Sequence, residues 1–310
     1  MEATLNRKKK INIGRILFIV LMLAYPVLQF TLFFGYVNIN TVFLTFQRFD
    51  WASGGPIFKG FVNYKTLFDR ILHHATTQKM LLNSLLYMPI TCFVILPLSL
   101  LFSYFLYKKV PLSGFFRVVY FLPSILPIVV LTMVFSFLFD SSYGPINALI
   151  KGLYDLLNIN QVPPSYFGEY PTNQIMIFIY CIWVGLGFNI ILLTTAITRI
   201  PEEVIEYGKI SGIKLHQEFF HVVVPMIWPT ITSIFMLGIT SVFTVLMQPM
   251  LLTPSSSDTY TISLIVYDSV NTGGDVYYTA TLGLVATLIG LPLILTTKKL
   301  LSSCFKGVDY

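Results

Sequence analysis

The sequence predicts an all-α polytopic membrane protein, and two observations carry that prediction. Hydrophobic residues make up 55% of the 310 residues and charged residues only 11%, and the mean hydropathy is +0.75. A soluble chain of this composition would expose more apolar area than globular proteins tolerate. The second observation is that apolar residues fall into six runs. Each run is close to the roughly twenty residues that a helix needs to cross about 30 Å of hydrocarbon.

The six predicted spans follow one another along the whole chain. They lie near residues 16–37, 81–107, 118–139, 175–198, 228–252 and 278–297, within a membrane domain at 16–300. An N-terminal tail at 1–15, a long loop at 199–227 and a C-terminal tail at 301–310 lie outside the membrane in this prediction. The first run follows four basic residues, as a signal peptide would, but it is too long and no small-residue cleavage site follows. We therefore predict a retained helix.

The distribution of Lys and Arg predicts the orientation of these spans. With six spans, fourteen Lys and Arg fall on the side of both termini and of the loop at 199–227, against six on the other side. Positive charge accumulates on the cytoplasmic side of membrane proteins, so both termini and this loop are predicted to be cytoplasmic. The formal net charge of +6 is then a signal of topology, and no nucleic-acid partner is expected.

The loop at 199–227 has the signals of two short helices separated by a turn. Pro201, followed by two glutamates, predicts a helix start. Gly212 predicts a break, and Pro225 predicts the end of a second helical run. Because this polar loop joins two strongly apolar runs, we expect it to bind a partner outside the membrane.

The spacing within the loop resembles the signature of permease subunits of binding-protein-dependent ABC importers. That signature reads Glu-Ala-Ala, three residues, Gly, nine residues, Ile-x-Leu-Pro. The matching positions here are Glu206, Tyr207, Gly208, Gly212, Val222, Val224 and Pro225. Two departures affect packing: Tyr207 and Gly208 replace the alanines, and Ser211 stands where the family often has Asp.

The resemblance implies the six-helix fold of a type I importer permease and a defined set of partners. These are a second homologous permease subunit, two copies of a cytoplasmic ABC ATPase and an extracytoplasmic solute-binding protein. The ATPase would bind ATP and Mg, and this chain would bind no cofactor. We call residues 199–227 the coupling loop, because the resemblance implies that it contacts the ATPase. The residues implied in that contact are Glu206, Tyr207, Gly208, Ser211, Gly212 and Pro225.

The predicted spans contain no Asp, Glu, Lys, Arg or His in their interiors. Ion-coupled carriers usually need such groups within the membrane, so a secondary carrier is disfavoured, as is a charged substrate. Neutral amides and hydroxyls beside aromatic rings remain, and these groups suit sugar hydroxyls and pyranose faces. The alternative is that the same Ser, Thr, Asn and Gln residues hydrogen-bond between helices. A short motif that resembles one in sugar-type permeases is present at Phe58, Gly60, Asn63 and Tyr64. This resemblance favours recognition of a sugar.

Resemblance to maltose-type permeases places the substrate path on the spans before and after the coupling loop. The implied residues of the first are Val184, Gly185 and Phe188, with Asn189 next, and those of the second are Leu237, Thr240, Ser241 and Thr244. Gln248 continues the four-residue spacing of Thr240 and Thr244. Gly185 and Asn189 are also four apart, and the missing side chain is expected to leave room beside the amide.

The function that these observations imply is import of a neutral carbohydrate, in particular an oligosaccharide, by a multi-pass protein of the bacterial cell membrane. Alternatives are an ABC permease for another small solute such as a phosphorylated polyol, an ion-coupled carrier, and a membrane scaffold without a transport path. An enzyme is not expected, since no Gly-x4-Gly-Lys-Ser/Thr loop is present. His216, Glu218 and His221 do not have metalloprotease spacing, so no metal site is expected. The three cysteines are isolated in sequence.

Overall fold

The computed structural model describes residues 13–159, 165–254 and 256–304, and this part of the chain is mainly helical. Most of the two predicted tails lies outside these ranges. The first half contains α1 (Ile13–Gln29), a π-helical segment (Phe30–Tyr36), α2 (Val37–Thr45), β1 (Gln47–Asp50), β2 (Gly55–Phe58), α3 (Val62–His73), α4 (Ala75–Pro89), a second π-helical segment (Ile90–Ile95), α5 (Leu96–Tyr107), α6 (Ser113–Ile125), α7 (Ile128–Leu138) and α8 (Pro145–Leu156).

The second half contains the coupling loop and two further long helices. Its elements are α9 (Thr172–Thr198), α10 (Glu202–Ile210), α11 (Leu215–Glu218), a π-helical segment (Phe219–Val223), α12 (Val224–Met226), α13 (Trp228–Thr244), α14 (Met247–Leu252), a 3₁₀ turn (Ser257–Thr259), α15 (Ile262–Asn271) and α16 (Val276–Cys304).

Four helices in the described residues are long and apolar enough to cross a membrane. They are Ile16–Thr45, Ala75–Tyr107, Thr172–Thr198 and Val276–Ser303. Two bent pairs raise the number to six if each pair forms one span. The pair of α6 and α7 bends by 110°, and the helix Leu215–Met226 meets α13 at 75°. The first and last helices are longer than the runs at 16–37 and 278–297, because helical structure continues into less apolar residues.

Two of the predicted spans are interrupted. The third, at 118–139, breaks at Leu126 and Pro127, both of which have extended backbone. Proline disfavours helical geometry at the residue before it, which accounts for the end of α6 at Ile125. The fifth, at 228–252, breaks after Thr244, where Val245 is extended with ψ 111°. Its last residues form the separate helix α14.

The helices approach one another most closely where glycine replaces a side chain. At Gly187, in α9, an added Cβ would overlap the carbonyl oxygen of Tyr120 in α6. At Gly238, in α13, it would lie 2.7 Å from Sγ of Cys92. Small residues allow helices in a membrane to pack backbone against backbone. These two contacts therefore set the spacing of the helices that surround α9 and α13.

The end of the bundle opposite the coupling loop carries a short antiparallel hairpin, and we call it the hairpin end. β1 pairs with β2 with Gln47 opposite Phe58. The amide of Asn63, 3% exposed, donates to the carbonyls of Thr45 (2.9 Å) and Gln47 (2.7 Å). The Tyr64 hydroxyl lies 2.8 Å from Oγ1 of Thr45. Asn63 and Tyr64 of the motif at 58–64 thus fix α3 to the end of the first long helix.

The segment between α13 and α15 folds back against α4 at the hairpin end. The Asn83 amide, fully buried, donates to the carbonyls of Asp258 (2.7 Å) and Tyr260 (3.2 Å). The Ser84 hydroxyl accepts from the backbone N–H of Ile262 at 2.8 Å. Lys79 Nζ lies 2.8 Å from Oδ1 of Asp258. This polar clamp supplies partners for backbone groups that the break after Thr244 leaves outside a helix.

Replacing Asn83 with alanine is expected to lower the free energy of unfolding by about 1 to 3 kcal/mol, because two buried carbonyls lose their donor. Asn271→Ala is the matched control, since its exposed amide donates to Tyr267 within the same helix. That change is expected to stay within about 0.5 kcal/mol. Thermal unfolding of the purified proteins in one detergent measures both. Equal effects of the two changes would contradict a clamping role for Asn83.

Candidate functional site

The coupling loop forms two short helices joined by a tight turn, as its sequence predicts. Pro201 precedes α10, whose first turn carries Glu202 and Glu203. Gly212 has φ +73°, in the left-handed region, and a Cβ there would meet no atom within 4 Å. The glycine is therefore required by backbone conformation and not by lack of space.

One side of the coupling loop is buried against the ends of the spans. Ile205 in α10 is 6% exposed, and Val223 at the end of the π-helical segment is fully buried. Both belong to one apolar cluster with Leu193 and Ile197, from the last turns of α9. Burial of these side chains fixes the loop to the membrane helices.

An ion pair adds a second connection between the coupling loop and the helix Ala75–Tyr107. Lys108 Nζ lies 2.8 Å from Oε2 of Glu218, a residue only 3% exposed. The Tyr104 hydroxyl donates to the carbonyl of Leu215 at 3.2 Å, and its ring contacts that of Phe219 at 5.1 Å between centroids. A nearly buried carboxylate needs such a partner, because an uncompensated charge is costly away from water.

The exposed surface of the coupling loop carries large apolar side chains among charged and polar ones. Tyr207 is 74% exposed, Ile210 85%, Leu215 64% and Phe220 61%. We call these four residues the apolar face of the loop. Exposed apolar side chains grouped in this way mark surfaces that bind other proteins or lipid. The loop therefore has an anchored side and a side available to a partner.

The residues implied in ATPase contact divide between these two sides. Glu206, Tyr207, Ser211 and Gly212 are exposed, next to or within the apolar face. Gly208 is buried, and a Cβ there would lie 2.7 Å from Cδ1 of Ile213, so it closes the turn from inside. Pro225 is half-buried in α12, directly after the π-helical segment.

On α9, the residues implied in the substrate path lie close together, between Val184 and Asn189. Val184 is half-buried, Phe188 is 55% exposed and Asn189 is half-buried. The Asn189 amide makes no hydrogen bond with any described residue, so its donors and acceptor are available. The expectation of open space at Gly185 is wrong: a Cβ there would lie 3.0 Å from Cδ1 of Ile95, whose side chain occupies that position.

On α13, the hydroxyl row separates into residues with different surroundings. Ser241 is 8% exposed, donates to the carbonyl of Gly238 at 2.6 Å and lies 3.3 Å from Oγ1 of Thr91. Those contacts fit the interhelical alternative. Thr244 is exposed and Thr240 half-buried, and each donates to its own helix, Thr240 to Leu237 at 2.7 Å and Thr244 to Thr240 at 3.1 Å. Their oxygens remain able to accept a hydrogen bond.

Gln248 does not continue this row. The helix breaks at Val245, so Gln248 lies in α14 and the four-residue spacing no longer places it above Thr244. Sequence reasoning also missed the pairing of Lys108 with Glu218, and the clamp around Asn83. Each of these joins residues more than a hundred positions apart, and no local pattern in the sequence signals such a pair.

Two of the three residues weighed as a metal site are directed to different partners. Glu218 pairs with Lys108, and Nδ1 of His221 lies 3.2 Å from the carbonyl oxygen of Gln217. Within the described ranges, no three His, Cys, Asp or Glu side chains are grouped so that they could hold a metal ion.

Comparison with known proteins identifies the architecture. Residues 95–300 match the family described as the inner membrane component of binding-protein-dependent transport systems. The chain belongs to this family. Its members are integral membrane transport components and not enzymes. The matched region contains the coupling loop and the helices before and after it.

Two relatives and one solved structure extend the comparison over nearly the whole permease. The probable ABC transporter permease protein YurN of Bacillus subtilis is 29% identical, over 88% of this chain and 92% of its own. The arabinooligosaccharides transport system permease protein AraP of the same organism is 25% identical, over 91% and 87%. A bacterial alginate ABC transporter, solved with an alginate pentasaccharide-bound periplasmic protein, has a chain with TM-score 0.80 at 18% identity, over 96% and 98%. That likeness shows the fold.

Removing the Lys108 side chain from the permease is expected to lower the free energy of unfolding by about 3 kcal/mol, because Glu218 would remain buried without a partner. Lys109→Ala is the matched control, since the Lys109 side chain is exposed and forms no ion pair with the described residues. The double variant Lys108→Met with Glu218→Leu should regain most of the loss. Thermal unfolding is measured for the unchanged protein, Lys108→Ala, Lys109→Ala and the double variant. A Lys108→Ala protein as stable as the Lys109→Ala protein would refute the anchor.

Proposed function

We propose that this permease is the membrane-spanning subunit of an ATP-driven importer for a neutral carbohydrate, in particular an oligosaccharide. The observation that carries the proposal is the two-sided coupling loop. Its apolar face is exposed, while its other side is fixed to the spans by Ile205, Val223 and the Lys108–Glu218 pair. A docking surface attached so firmly to membrane helices is suited to passing on a partner's movement.

The partner proposed for the apolar face is a cytoplasmic ABC ATPase, present in two copies that bind ATP and Mg. A second homologous permease would complete the pore, and an extracytoplasmic binding protein would deliver the sugar. Both termini and the coupling loop are cytoplasmic in this proposal, with six spans if each bent pair is one span. The excess of Lys and Arg on that side, fourteen against six, supports the orientation.

The proposed mechanism is alternating access. Closure of the ATPase dimer would press on the apolar face and move α9 and α13, which join the coupling loop at its two ends. Because the loop is anchored to both α9 and the helix Ala75–Tyr107, its displacement would carry those helices together. The path between the two permeases would then open alternately to the two sides of the membrane.

A neutral sugar is the cargo that the lining of the proposed path favours. Asn189 has an unused amide beside the exposed ring of Phe188, and α9 and α13 contain no Asp, Glu, Lys, Arg or His. Thr240 and Thr244 offer hydroxyl oxygens as acceptors. The name of AraP, a permease for arabinooligosaccharides, agrees with an oligosaccharide cargo. The alginate transporter supports the carbohydrate class but not its neutrality, because alginate is an acidic polysaccharide.

Uptake by the complete transporter in proteoliposomes tests the function. We expect ATP inside the vesicles to drive uptake of at least one of a panel of radiolabelled mono- and oligosaccharides, in the presence of the binding protein. An ionophore that collapses the proton gradient at constant ATP should leave the initial rate unchanged. Prompt loss of uptake with the ionophore would favour an ion-coupled carrier, and uptake of a phosphorylated polyol alone would exclude a neutral sugar.

Gly212→Leu is expected to reduce ATP-coupled uptake while leaving membrane insertion intact. A side chain at φ +73° strains the turn by about 1 kcal/mol, which corresponds to roughly fivefold in the docking equilibrium. Gly54→Leu is the matched control, because Gly54 has φ +68° and equally open surroundings but lies on the hairpin. Uptake and ATPase co-purification are measured for both. Wild-type uptake and assembly in the Gly212→Leu transporter would disprove the docking role.

Asn189→Ala is expected to lower uptake by about two- to tenfold, the effect of losing one hydrogen bond of roughly 0.5 to 1.5 kcal/mol to the sugar. Stability should not change, because the amide has no partner within the described protein. Ser241→Ala provides the contrast, since Ser241 contacts Thr91 and its loss should lower stability. Uptake, basal ATPase activity and thermal unfolding separate the two roles. If Asn189→Ala disrupts assembly, or spares transport of every sugar, Asn189 does not line the path.

A further inference from the structure

A small cavity lies between α6 and α9 near the end of the bundle that carries the coupling loop. Its volume is about 250 Å³. It is lined by Arg117, Ile190, Ile191, Thr194, Thr195 and Thr198. This volume is smaller than that of typical small-molecule sites, which are about 300 Å³ or larger. The cavity is therefore too small for an oligosaccharide. The cavity is separate from the residues proposed for the sugar path and from the apolar face of the loop.

Two of the polar groups that line this cavity are donors without a partner. Arg117 forms no ion pair or hydrogen bond with the described residues, whereas Lys108, on the same side of the bundle, is paired with Glu218. Oγ1 of Thr194 is buried and has no hydrogen-bond partner. The hydroxyls of Thr195 and Thr198 donate instead to carbonyls of their own helix, at 2.8 and 2.9 Å. A buried hydroxyl without a partner indicates a missing ligand or water.

We propose that this cavity binds the phosphate of an anionic phospholipid from the leaflet on the coupling-loop side. The Arg117 guanidinium can give two parallel hydrogen bonds to phosphate oxygens, a geometry that an ammonium group does not offer. The Thr194 hydroxyl adds a third donor from the buried wall. No carboxylate lines the cavity to repel the anion.

The surroundings of Arg117 favour a lipid over a soluble anion. Val118 and Leu122, which follow it in α6, are 63% and 54% exposed, and they offer apolar surface to acyl chains. Arginine at the end of a span typically places its charge at headgroup level while its stem stays among apolar groups. Basic pockets between helices on the cytoplasmic side bind anionic headgroups. The choice of leaflet rests on the cytoplasmic orientation proposed above.

The last turn of α9 brings the negative end of the helix dipole to the cavity, because Thr195 and Thr198 line it. This is a partial charge of about half a unit, smaller than the full positive charge of Arg117. Arg199 follows the helix directly and is exposed, so it places positive charge at that end. The field in the cavity is therefore set mainly by Arg117.

Retention of phospholipid by the purified complete transporter tests the proposal. The transporter is delipidated, incubated with mixed phosphatidylglycerol and phosphatidylcholine, and the bound lipid is counted by native mass spectrometry. We expect one phosphatidylglycerol to bind preferentially, and Arg117→Ala to bind it about tenfold more weakly, as for loss of a charged hydrogen bond. Thr194→Val, which keeps the shape, should weaken binding several-fold, and Arg117→Lys should fall between Arg117→Ala and the unchanged protein.

Lys299→Ala is the matched control, because Lys299 is an exposed basic residue placed on the same side by the charge distribution and does not line the cavity. It should retain phosphatidylglycerol unchanged. Equal loss in Lys299→Ala and Arg117→Ala, unchanged binding in Arg117→Ala, or equal retention of both lipids would overturn the site. Displacement of the lipid by millimolar inorganic phosphate would assign the cavity to a soluble anion instead. The measurement requires no transport, so its outcome is independent of the cargo.

Discussion

Backbone N–H and C=O groups in a membrane must find partners within the protein, and this constraint accounts for the contacts around the break after α13. Where α13 ends, the freed carbonyl of Val245 accepts from the Thr261 hydroxyl at 2.7 Å, and that of Phe243 accepts from the Ser263 hydroxyl. Asn83 satisfies two further carbonyls from the helix on the other side. The broken segment is thus held by three elements at once.

The same requirement distinguishes the two ends of the bundle. At the hairpin end, neutral side chains satisfy the backbone, and the segment from α13 to α15 is bound firmly to α4. At the other end, the Lys108–Glu218 pair and the apolar cluster around Val223 bind the coupling loop. The turn at Gly212 is where the chain crosses from one short helix of that loop to the next.

Local signals in the sequence predicted the helices and turns, because these depend on residues that are close together in the chain. The apolar runs located the long helices, and Pro201, the two glutamates and Gly212 located the helices and turn of the coupling loop. Pro123 and Pro127 indicate a kink in the third span, but a hydropathy run does not distinguish a continuous helix from two halves joined at 110°. The break after Thr244 was missed. The resemblance placed Ser241 and Thr244 on one substrate path, but only packing against Thr91 shows which of the two is buried. Contacts such as that of Ile95 with Gly185 depend on the tertiary fold and leave no trace in sequence spacing.

The contact at Gly187 has a mechanical consequence. Most helix pairs touch through side chains, which can change rotamer and so allow the helices to slide or separate by small amounts. Here the backbone of α9 rests directly on the carbonyl of Tyr120, and a backbone has no rotamers to exchange. We therefore expect α6 and α9 to move together during transport, so that a ligand bound between Arg117 and Thr194 would move with both helices.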